Sequence, residues 1–377
     1  MKFSTLAIHG DGKTEERAGD IVQAVHLATT YKQPKLGEFQ ENVYTRGSNP
    51  TRLALEKHLA VIEGARYAFA FSSGMAAIDT AFHLFKSGDR ILLNDNVYGG
   101  TFRYASKLFA GMGLSYDLVD DFNTLDFDRL PGDVRGIFLE TPSNPLLKVT
   151  DIRRLAEKAR AGNITLIVDN TFMSAYLQKP LDLGSDIVVY SATKYYSGHS
   201  DILAGALVLN DEENAARVKL LQNTLGNPLG PQDSYQLERS IKTLAVRMDR
   251  QCANAAAVVD FLRAHPKVKR VFYPSIDDEE RRVQEAQSRG FGAVLSFILR
   301  DGCDPARFID DLLLFDFAVS LGSVESLVCH PASQTHESFS AELRKKAGIE
   351  DGLLRLSIGI EDIGDLLEDL ERALKAA

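Results

Sequence analysis

Cysteine is scarce and tryptophan is absent from the 377-residue sequence. The three cysteines, Cys252, Cys303 and Cys329, are odd in number and scattered, and no two of them have the spacing of metal ligands. We therefore expect structural thiols instead of a disulfide framework or a metal centre, and a protein that works in the reducing cytoplasm. The lack of tryptophan excludes no class of function.

Basic residues are outnumbered by acidic ones, 43 to 52, so the formal net charge is −9. Nucleic-acid binding favours a basic surface, so no nucleic-acid partner is expected. No apolar run approaches the length that spans a bilayer, and the polar N-terminus does not look like a signal peptide, so no membrane partner is expected. With 45% hydrophobic and 25% charged residues, the composition is that of an ordinary globular protein.

Motifs of several enzyme classes are missing. The sequence has no G-x-x-x-x-G-K-[ST] phosphate loop, and no G-x-G-x-x-G follows the first predicted strand, which argues against a nicotinamide-dependent dehydrogenase. The eight histidines form no metal-spaced set. His330 and His336 flank a short stretch without the H-E-x-x-H arrangement, and we predict structural roles for both.

By pattern the chain divides into three parts. Residues 1–50 form a predicted irregular but ordered arm, residues 51–245 a large domain, and residues 246–377 a smaller C-terminal α+β domain. Helical periodicity in the arm is interrupted by Gly10, Gly12, Gly19 and Pro34. Tyr31, Phe39 and Tyr44 give the arm apolar surface to bury. Thr51 is expected to cap the first helix, which should end at Gly64.

Strand and helix patterns alternate between residues 65 and 210, which is typical of a largely parallel sheet wrapped by helices. The strands of this part are predicted at 67–71, 90–93, 136–140, 164–168, 187–190 and 204–209. A mainly helical stretch follows from 215 to 255. Further strands are predicted near 268–273, 293–299, 317–320 and 354–358, and an amphipathic helix closes the chain.

The apolar strand pattern at 187–190 runs into Ser191-Ala-Thr193-Lys194. Ligands bind at the carboxyl ends of the strands in open α/β sheets. One interpretation is a lysine that joins covalently to a carbonyl cofactor, with the two hydroxyls holding a phosphate beside it. The other interpretation is a surface lysine just past a strand.

Two further strand ends carry polar residues that suit a phosphorylated ring. Gly74 opens a helix, where free N–H groups and the helix dipole favour an anion, although a plain helix cap fits the same pattern. Asp169 follows the apolar residues Leu166-Ile-Val168, and a partly buried carboxylate needs a partner such as a protonated pyridine nitrogen. The alternative for Asp169 is a turn or cap carboxylate.

Two more residues have a functional and an ordinary interpretation. Tyr98 lies beside Gly99 and Gly100, so its ring could stack on a flat cofactor and exchange a proton, or be an ordinary core or surface tyrosine. Arg355 interrupts an apolar strand pattern. It could grip a substrate carboxylate through two hydrogen bonds, or face outward together with Ser357.

Seven stretches of the sequence form a joint pattern: Phe71-Ser-Ser-Gly-Met-Ala-Ala77, Val97-Tyr-Gly-Gly-Thr-Phe-Arg103, Glu140-Thr-Pro-Ser-Asn-Pro145, Val168-Asp-Asn-Thr171, Ser191-Ala-Thr-Lys194, Ser197-Gly-His-Ser-Asp201 and Ser320-Leu-Gly-Ser-Val-Glu-Ser326. Taken together, they resemble the PLP-dependent transsulfuration enzymes: the cystathionine lyases, cystathionine γ-synthase and their sulfhydrylase and methionine-lyase relatives. The resemblance spans nearly the whole chain and is strongest to bacterial cystathionine β-lyases and γ-lyases. It implies pyridoxal 5'-phosphate (PLP) as cofactor and the aspartate-aminotransferase-like fold (fold type I), an α/β fold.

The resemblance also implies the roles of individual residues. Lys194 matches the lysine that joins the cofactor, Asp169 the carboxylate at the ring nitrogen, and Tyr98 the tyrosine that stacks on the ring. Within one subunit, the phosphate positions match Gly74, Met75, Ser191 and Thr193. The neighbouring subunit would contribute Tyr44 and Arg46, as in the family's usual homotetramer of two active-site-sharing dimers.

The substrate positions follow in the same way. Asn144, Ser320 and Arg355 match contacts to the amino-acid end of the substrate. Arg103 matches a position near the distal end, and Glu325 one associated with γ-lyase-like and γ-synthase-like pockets.

The chain departs from the family pattern at four places, one of which is Ala24-Val25-His26, where a Pro-containing segment of the arm is more usual. Val43 stands where many γ-lyases and γ-synthases carry an acidic residue, so the family's way of recognising the distal amine of cystathionine does not carry over to this position. Gly47-Ser48 inverts the usual order in its loop. Gly100 occupies the place of a cysteine in methionine γ-lyases, which argues against that specialisation.

The expected activity is cleavage of the C–S bond of L-cystathionine, and also of L-cysteine with release of sulfide. β-Elimination would give pyruvate and ammonia, and γ-elimination would give 2-oxobutyrate. The alternative is γ-replacement by a cystathionine γ-synthase or an O-acylhomoserine sulfhydrylase. A non-catalytic binding protein on the same fold is a further possibility, against which the complete set of Tyr98, Asp169 and Lys194 speaks.

Overall fold

The computed structural model describes residues 1–10, 20–337 and 339–377. The expected breaks at Gly12 and Gly19 lie outside these ranges. Within them, no helix combines the length and the apolar character that crossing a membrane requires.

The described ranges contain thirteen α-helices and twelve strands. The helices are α1 Phe3–His9, α2 Pro50–Glu63, α3 Gly74–Phe82, α4 Gly99–Met112, α5 Ile152–Ala161, α6 Ser174–Leu177, α7 Glu212–Leu225, α8 Pro231–Ile241, α9 Leu244–Ala264, α10 Asp278–Gln287, α11 Pro305–Asp310, α12 Ala341–Lys346 and α13 Ile363–Ala376. The strands are β1 Tyr67–Phe71, β2 Arg90–Asn94, β3 Ser115–Val119, β4 Val134–Glu140, β5 Thr165–Asp169, β6 Ile187–Tyr190, β7 Gly205–Leu209, β8 Val268–Phe272, β9 Val294–Leu299, β10 Asp316–Phe317, β11 Leu327–Cys329 and β12 Leu353–Ser357. Short 3-10 helices lie at Phe122–Thr124, Phe127–Arg129 and Pro180–Leu183.

The larger sheet has seven strands in the order β1-β7-β6-β5-β4-β2-β3. All its neighbours pair in parallel except β7, which is antiparallel to both β1 and β6. The segment from 191 to 204 contains no helix, so the chain returns beside β6 without the crossover that a parallel strand needs. The predicted mostly parallel central sheet is confirmed, and the carboxyl ends of β1, β2, β4, β5 and β6 share one edge.

The smaller sheet has five strands in the order β10-β11-β12-β9-β8, mostly antiparallel. One hydrophobic core runs through both parts of the chain, from Val188 in β6 to Leu354 and Leu356 in β12. This shared core fixes β12 relative to the strand ends of the larger sheet. Helix α9 begins at the predicted domain boundary, and the three-part division of the chain stays a prediction.

The arm departs from the predicted irregular structure at its start, where α1 forms. Phe3 and Ala7, one helical turn apart, are buried, and the Phe3 ring packs edge-on against Tyr176 at 5.2 Å between centroids. Tertiary packing stabilises a helix too short to form alone. By contrast, Phe39 and Tyr44 are 70% and 48% exposed, so the arm does not bury them within this chain.

The start of α2 corrects a second expectation. Asn49, not Thr51, is the N-cap, and its Oδ1 accepts the N–H groups of Thr51 at 2.9 Å and Arg52 at 3.3 Å. An asparagine cap followed by a proline at the first helical position is a favoured start, because Pro50 has no N–H to satisfy. The helix ends before Gly64 in the left-handed region, φ 71°, as predicted.

Candidate active site

The N-terminus of α3 lies against the turn after β6. A Cβ atom placed on Gly74 would be 2.8 Å from the Cβ of Ser191, so only glycine allows this approach. The Ser73 hydroxyl accepts the N–H of Ala76 at 3.1 Å, which leaves the N–H groups of Gly74 and Met75 without an acceptor among the described residues. Gly74, Met75 and Ser191 therefore surround a place that suits an anion.

A second glycine, which the sequence analysis missed, holds the same turn from the other side. A Cβ atom on Gly205 would lie 2.0 Å from the carbonyl oxygen of Ser73. The register of β1 and β7 puts Gly205 opposite Phe71. A glycine inside a buried strand is the signal for such a close backbone approach.

The hydroxyls of Ser191 and Thr193, both predicted to bind a phosphate, differ in their hydrogen bonding. The Thr193 hydroxyl donates to the carbonyl of Ala204 at 3.2 Å and accepts the N–H of the same residue at 2.9 Å. The hydroxyl of Ser191 makes no hydrogen bond to any described group. Ser191 is thus available to a phosphate, whereas Thr193 uses its only donor to hold the chain that leads into β7.

Lys194 follows β6 by four residues, and its Nζ donates to the Ser320 Oγ at 2.7 Å. Burial, together with the positive charge of Arg355, lowers the pKa of Lys194 to about 8. The amine is therefore much easier to deprotonate than an ordinary lysine, as a nucleophile or base requires.

Ser320 belongs to a loop that packs against the turn after β6, which carries Lys194. Its φ of 102° is unusual for a residue other than glycine. A Cβ atom on Gly322 would be 2.8 Å from the backbone nitrogen of Tyr195, and the N–H of Val324 donates to the carbonyl of Gly198 at 2.9 Å. These contacts hold the Ser320 hydroxyl at the lysine.

Arg355 in β12 points inward, so the outward-facing alternative is wrong. It is 2% exposed and donates to the Asn144 Oδ1 and to the Ser320 carbonyl, each at 2.8 Å. Its Nε has no partner, and no carboxylate of the described ranges forms an ion pair with it. A buried guanidinium without a counter-charge favours binding of an anion, and a carboxylate fits its geometry.

Asp169 ends β5 and keeps one oxygen available. Its Oδ1 accepts the N–H of Thr171 at 3.0 Å and the hydroxyl of the same residue at 2.6 Å. No described group donates to its Oδ2. Burial raises the pKa of Asp169 to about 6, against the opposing effect of the bonds from Thr171. A protonated ring nitrogen at Oδ2 would stabilise the ionised form.

Glu140, at the end of the neighbouring strand β4, is a site residue that the sequence analysis missed. It pairs in register with Asp169 and accepts the Tyr98 N–H at 2.9 Å. Burial, and then the charge of Asp169, raise the pKa of Glu140 well above its usual range. The sequence did contain a signal for this residue, because Glu140 ends an apolar strand pattern as Asp169 does.

Tyr98 precedes α4, and its ring is 41% exposed. A Cβ atom on Gly100 would lie 2.4 Å from the Tyr98 Cε1 and 3.1 Å from the Met75 Sδ. Gly100 therefore leaves room for the Tyr98 ring beside Met75, which lies at the start of α3 where an anion would bind. The exposed part of the ring is free to stack on a flat ligand.

Lys194, Ser320, Arg355, Asn144, Asp169 and Tyr98 form what we call the inner cluster. Four predicted site residues make no described contact with it within the chain: Tyr44, Arg46, Arg103 and Glu325. Arg46 donates to the Asn223 Oδ1 at 3.2 Å and lies 5.4 Å from the ring centroid of Tyr44, beside a surface cavity of about 420 Å³. Both are exposed and make no described contact to Lys194. Arg103 and Glu325 are also exposed, and the carboxylate of Glu325 accepts the hydroxyl of Ser323.

The cluster fits a cofactor that has a phosphate, a flat ring, a basic ring nitrogen and a carbonyl. The start of α3 suits the phosphate, Tyr98 the ring face, Asp169 the ring nitrogen, and Lys194 the carbonyl. PLP carries all four groups. The buried, unpaired Arg355 remains for a carboxylate that the cofactor does not have.

Comparison with known proteins agrees with this chemistry. Residues 4–375 match the family model described as Cys/Met metabolism PLP-dependent enzyme. A cystathionine β-lyase of Lactococcus lactis subsp. cremoris is 46% identical over 99% of both chains. A cystathionine γ-lyase structure from Lactobacillus plantarum, complexed with L-serine, has a TM-score of 0.96 and 41% identity, covering 100% of this chain and 99% of that one. A cystathionine γ-synthase structure from Xanthomonas oryzae pv. oryzae, in complex with cystathionine, has a TM-score of 0.96 and 36% identity, covering 100% of this chain and 98% of that one.

These matches confirm the predicted family, fold class and cofactor. The family model and the relative from Lactococcus lactis each extend over almost the whole chain, and the two solved structures superpose on its full length. The chain belongs to the family of PLP-dependent enzymes of Cys/Met metabolism.

Proposed function

We propose that the protein is a C–S lyase that cleaves L-cystathionine and also L-cysteine, from which it releases sulfide. The observation that carries this proposal is the chain of contacts Lys194–Ser320–Arg355–Asn144, which puts an amine of lowered pKa beside a buried, unpaired guanidinium. The names of the relatives, cystathionine β-lyase and cystathionine γ-lyase, support the same activity.

Substrate binding begins at Arg355. An amino-acid carboxylate offers two oxygens to the guanidinium, whose Nε has no hydrogen-bond partner in the described parts of the chain. Asn144 holds the guanidinium through its Oδ1 and keeps a side-chain amide for the same carboxylate. Because Ser320 joins Arg355 to Lys194, a carboxylate bound there brings the substrate's α-carbon toward the lysine amine.

The protons are then handled by residues of the cluster. Bound PLP supplies an electron sink for the charge that develops at the α-carbon. Lys194 is the base that removes the α-proton, and the Ser320 hydroxyl accepts from its Nζ and orients it. Asp169 would hold a proton at the ring nitrogen of PLP through its Oδ2, the oxygen that Thr171 leaves free. Tyr98 is a second candidate shuttle for the extra proton transfer that γ-elimination needs.

The position of the cleaved bond depends on the distal side of the site. Val43 is partly exposed on the arm, and the carboxylate of Glu325 is already bonded to Ser323. Arg103 is exposed one turn into α4 and is the candidate for a distal carboxylate that the resemblance implies. We propose that the enzyme performs β-elimination, γ-elimination or both.

Incubation with L-cystathionine tests the proposal directly. Pyruvate would show β-elimination and 2-oxobutyrate γ-elimination, and the Lys194→Ala variant is the control that should form neither. A parallel incubation supplies O-acetylhomoserine or O-succinylhomoserine with cysteine or sulfide. The lyase assignment is overturned if γ-replacement far outpaces elimination in that mixture.

Assembly and location complete the proposal. The exposed pair Tyr44 and Arg46 makes no described contact to the chain's own Lys194, which supports a phosphate contact in a neighbouring subunit. We therefore propose a homotetramer of active-site-sharing dimers, to be checked by light scattering. The three free cysteines support a location in the reducing cytoplasm.

A further inference from the structure

A buried carboxyl lies on the side of the lysine turn that faces the core. Glu63, the last residue of α2, is 1% exposed. Its Oε2 accepts the hydroxyl of Tyr190 at 2.9 Å, and its Oε1 accepts the hydroxyl of Tyr196. Tyr190 precedes the segment 191–194 and Tyr196 follows it, so a single carboxyl holds both ends of the turn that carries Lys194.

The same network extends to the strand end that carries Asp169. The side-chain amide of Asn170 donates to the Tyr190 hydroxyl oxygen at 2.9 Å and to the Gln178 carbonyl at 2.8 Å. The Gln178 side chain in turn donates to the Asn170 Oδ1 at 2.9 Å. Asn170 directly follows Asp169, so Glu63 is connected through Tyr190 to the residue expected at the ring nitrogen.

Stability alone does not account for a carboxyl in this place. Burial raises the pKa of Glu63 to about 7, and the nearest charged side chains that affect it, Lys179 and Asp182, have opposing effects. A well-packed apolar residue is commonly at least as stabilising as a buried polar group. A carboxyl that accepts two phenols in fixed directions has another effect, since it sets the relative position of the two backbone segments.

We propose that Glu63 is a positioning residue that, through Tyr190 and Tyr196, sets where Lys194 and Asp169 stand toward PLP. Glu63 touches neither residue, and nothing in the proposal depends on which thioether is cleaved. Its loss should therefore change how the cofactor is held, beyond any change in folding.

The test compares Glu63→Gln and Tyr196→Phe with a matched control. Tyr104→Phe removes another bond between a phenol and a carboxylate, the partly buried bond of Tyr104 to Asp79 on α3. Two readouts use the loaded protein without substrate: the rate at which PLP is lost on dialysis, and the absorption maximum of the bound PLP. Thermal unfolding of each variant is measured alongside.

We expect Glu63→Gln to lose PLP at least about fivefold faster and to shift the absorption maximum, and Tyr196→Phe to do both to a smaller extent. Tyr104→Phe should lower thermal stability without either change. With substrate, kcat should fall while KM stays within about twofold, because Arg355 is untouched.

The proposal is overturned if Glu63→Gln and Tyr196→Phe lower thermal stability but leave PLP release and absorption as in the unmodified protein. If Glu63→Gln does not fold, Tyr196→Phe and Tyr190→Phe decide the matter by the same two readouts. Failure of the proposed C–S lyase activity would leave both readouts intact, so the two proposals fail separately.

Discussion

The inner cluster around Lys194 and the arm pair Tyr44–Arg46 contrast sharply. In the cluster, Lys194, Ser320, Arg355 and Asn144 are joined by hydrogen bonds of 2.7–2.8 Å. Arg355 and Asn144 are buried, and Lys194 and Ser320 are partly buried. The arm pair is exposed and is held by Asn223 and by its own stacking. One region is complete within the chain, whereas the other presents an arginine and a tyrosine outward.

This difference indicates that the inner cluster serves the reaction, whereas the arm pair serves contacts with a neighbouring subunit. Proton transfer and carboxylate binding need fixed geometry within about half an ångström, which a shared hydrophobic core supplies. A phosphate contact from outside needs only a cation and a hydroxyl presented on a supported loop. Arg52 supports that loop by donating to the carbonyls of Thr45 and Arg46. We therefore expect substitutions in the cluster to affect turnover most, and substitutions in the arm to act through cofactor binding and through the partner chain.

The largest effect is expected for Lys194→Ala. The variant lacks the amine that we propose joins PLP and acts as the base, so kcat should fall by roughly 10³-fold or more. Turnover is measured as keto-acid formation from L-cystathionine at saturating PLP. Activity close to that of the unmodified protein would remove Lys194 from the centre of the mechanism.

A smaller loss is expected for Arg355→Lys. The lysine keeps the charge but not the two-pronged geometry, so substrate binding should weaken by about 2 kcal/mol, roughly 30-fold in kcat/KM. The change should appear mainly in KM. As a control, a substrate that lacks the α-carboxylate should be used equally poorly by both proteins. An equal fold-change with that substrate would mean that Arg355 does not bind the carboxylate.

Mixing two impaired variants tests the arm directly. If Arg46 acts in the neighbouring subunit, a hybrid of Lys194→Ala and Arg46→Ala chains has one intact site and one doubly altered site. Equal mixing should then restore about one quarter of the unmodified activity at limiting PLP. Mixing Lys194→Ala with Asp169→Ala is the matched control, because both residues serve their own chain's site and no intact site forms. Equal activity in the two mixtures would place Arg46 in its own chain's site.

Much of the larger sheet and its polar strand ends could be predicted, because apolar runs such as 187–190 are unambiguous and the ends of parallel strands meet at one edge. The orientation of Arg355 could not, since an alternating pattern fits either face until β12 is packed between β9 and β11. Helix α1 and strand β3 were missed, because α1 depends on tertiary packing and β3 is a half-buried edge strand.

Hydrogen bonds between residues distant in the sequence also could not be predicted. Nothing near residue 63 indicates that its carboxyl holds Tyr190 and Tyr196, more than 120 positions away. The resemblance to known enzymes supplied roles for residues but not their hydrogen-bond partners. The case of Thr193 is the clearest: its assigned phosphate role meets a hydroxyl already bonded twice to Ala204.

The smallest expected effect separates the two hydroxyls beside the lysine. Ser191→Ala removes a free donor at the start of α3, so PLP should dissociate about tenfold more readily, the effect of losing one hydrogen bond to a charged group. Thr193→Val removes the two bonds to Ala204 and should lower the free energy of unfolding by about 1–2 kcal/mol, with little change in PLP affinity. The measurements are PLP titration of the apoprotein and urea unfolding. If Thr193→Val loses more PLP affinity than Ser191→Ala and keeps its stability, the Thr193 hydroxyl must turn from Ala204 to the phosphate when PLP binds, and the inner cluster is less fixed than its hydrogen bonds imply.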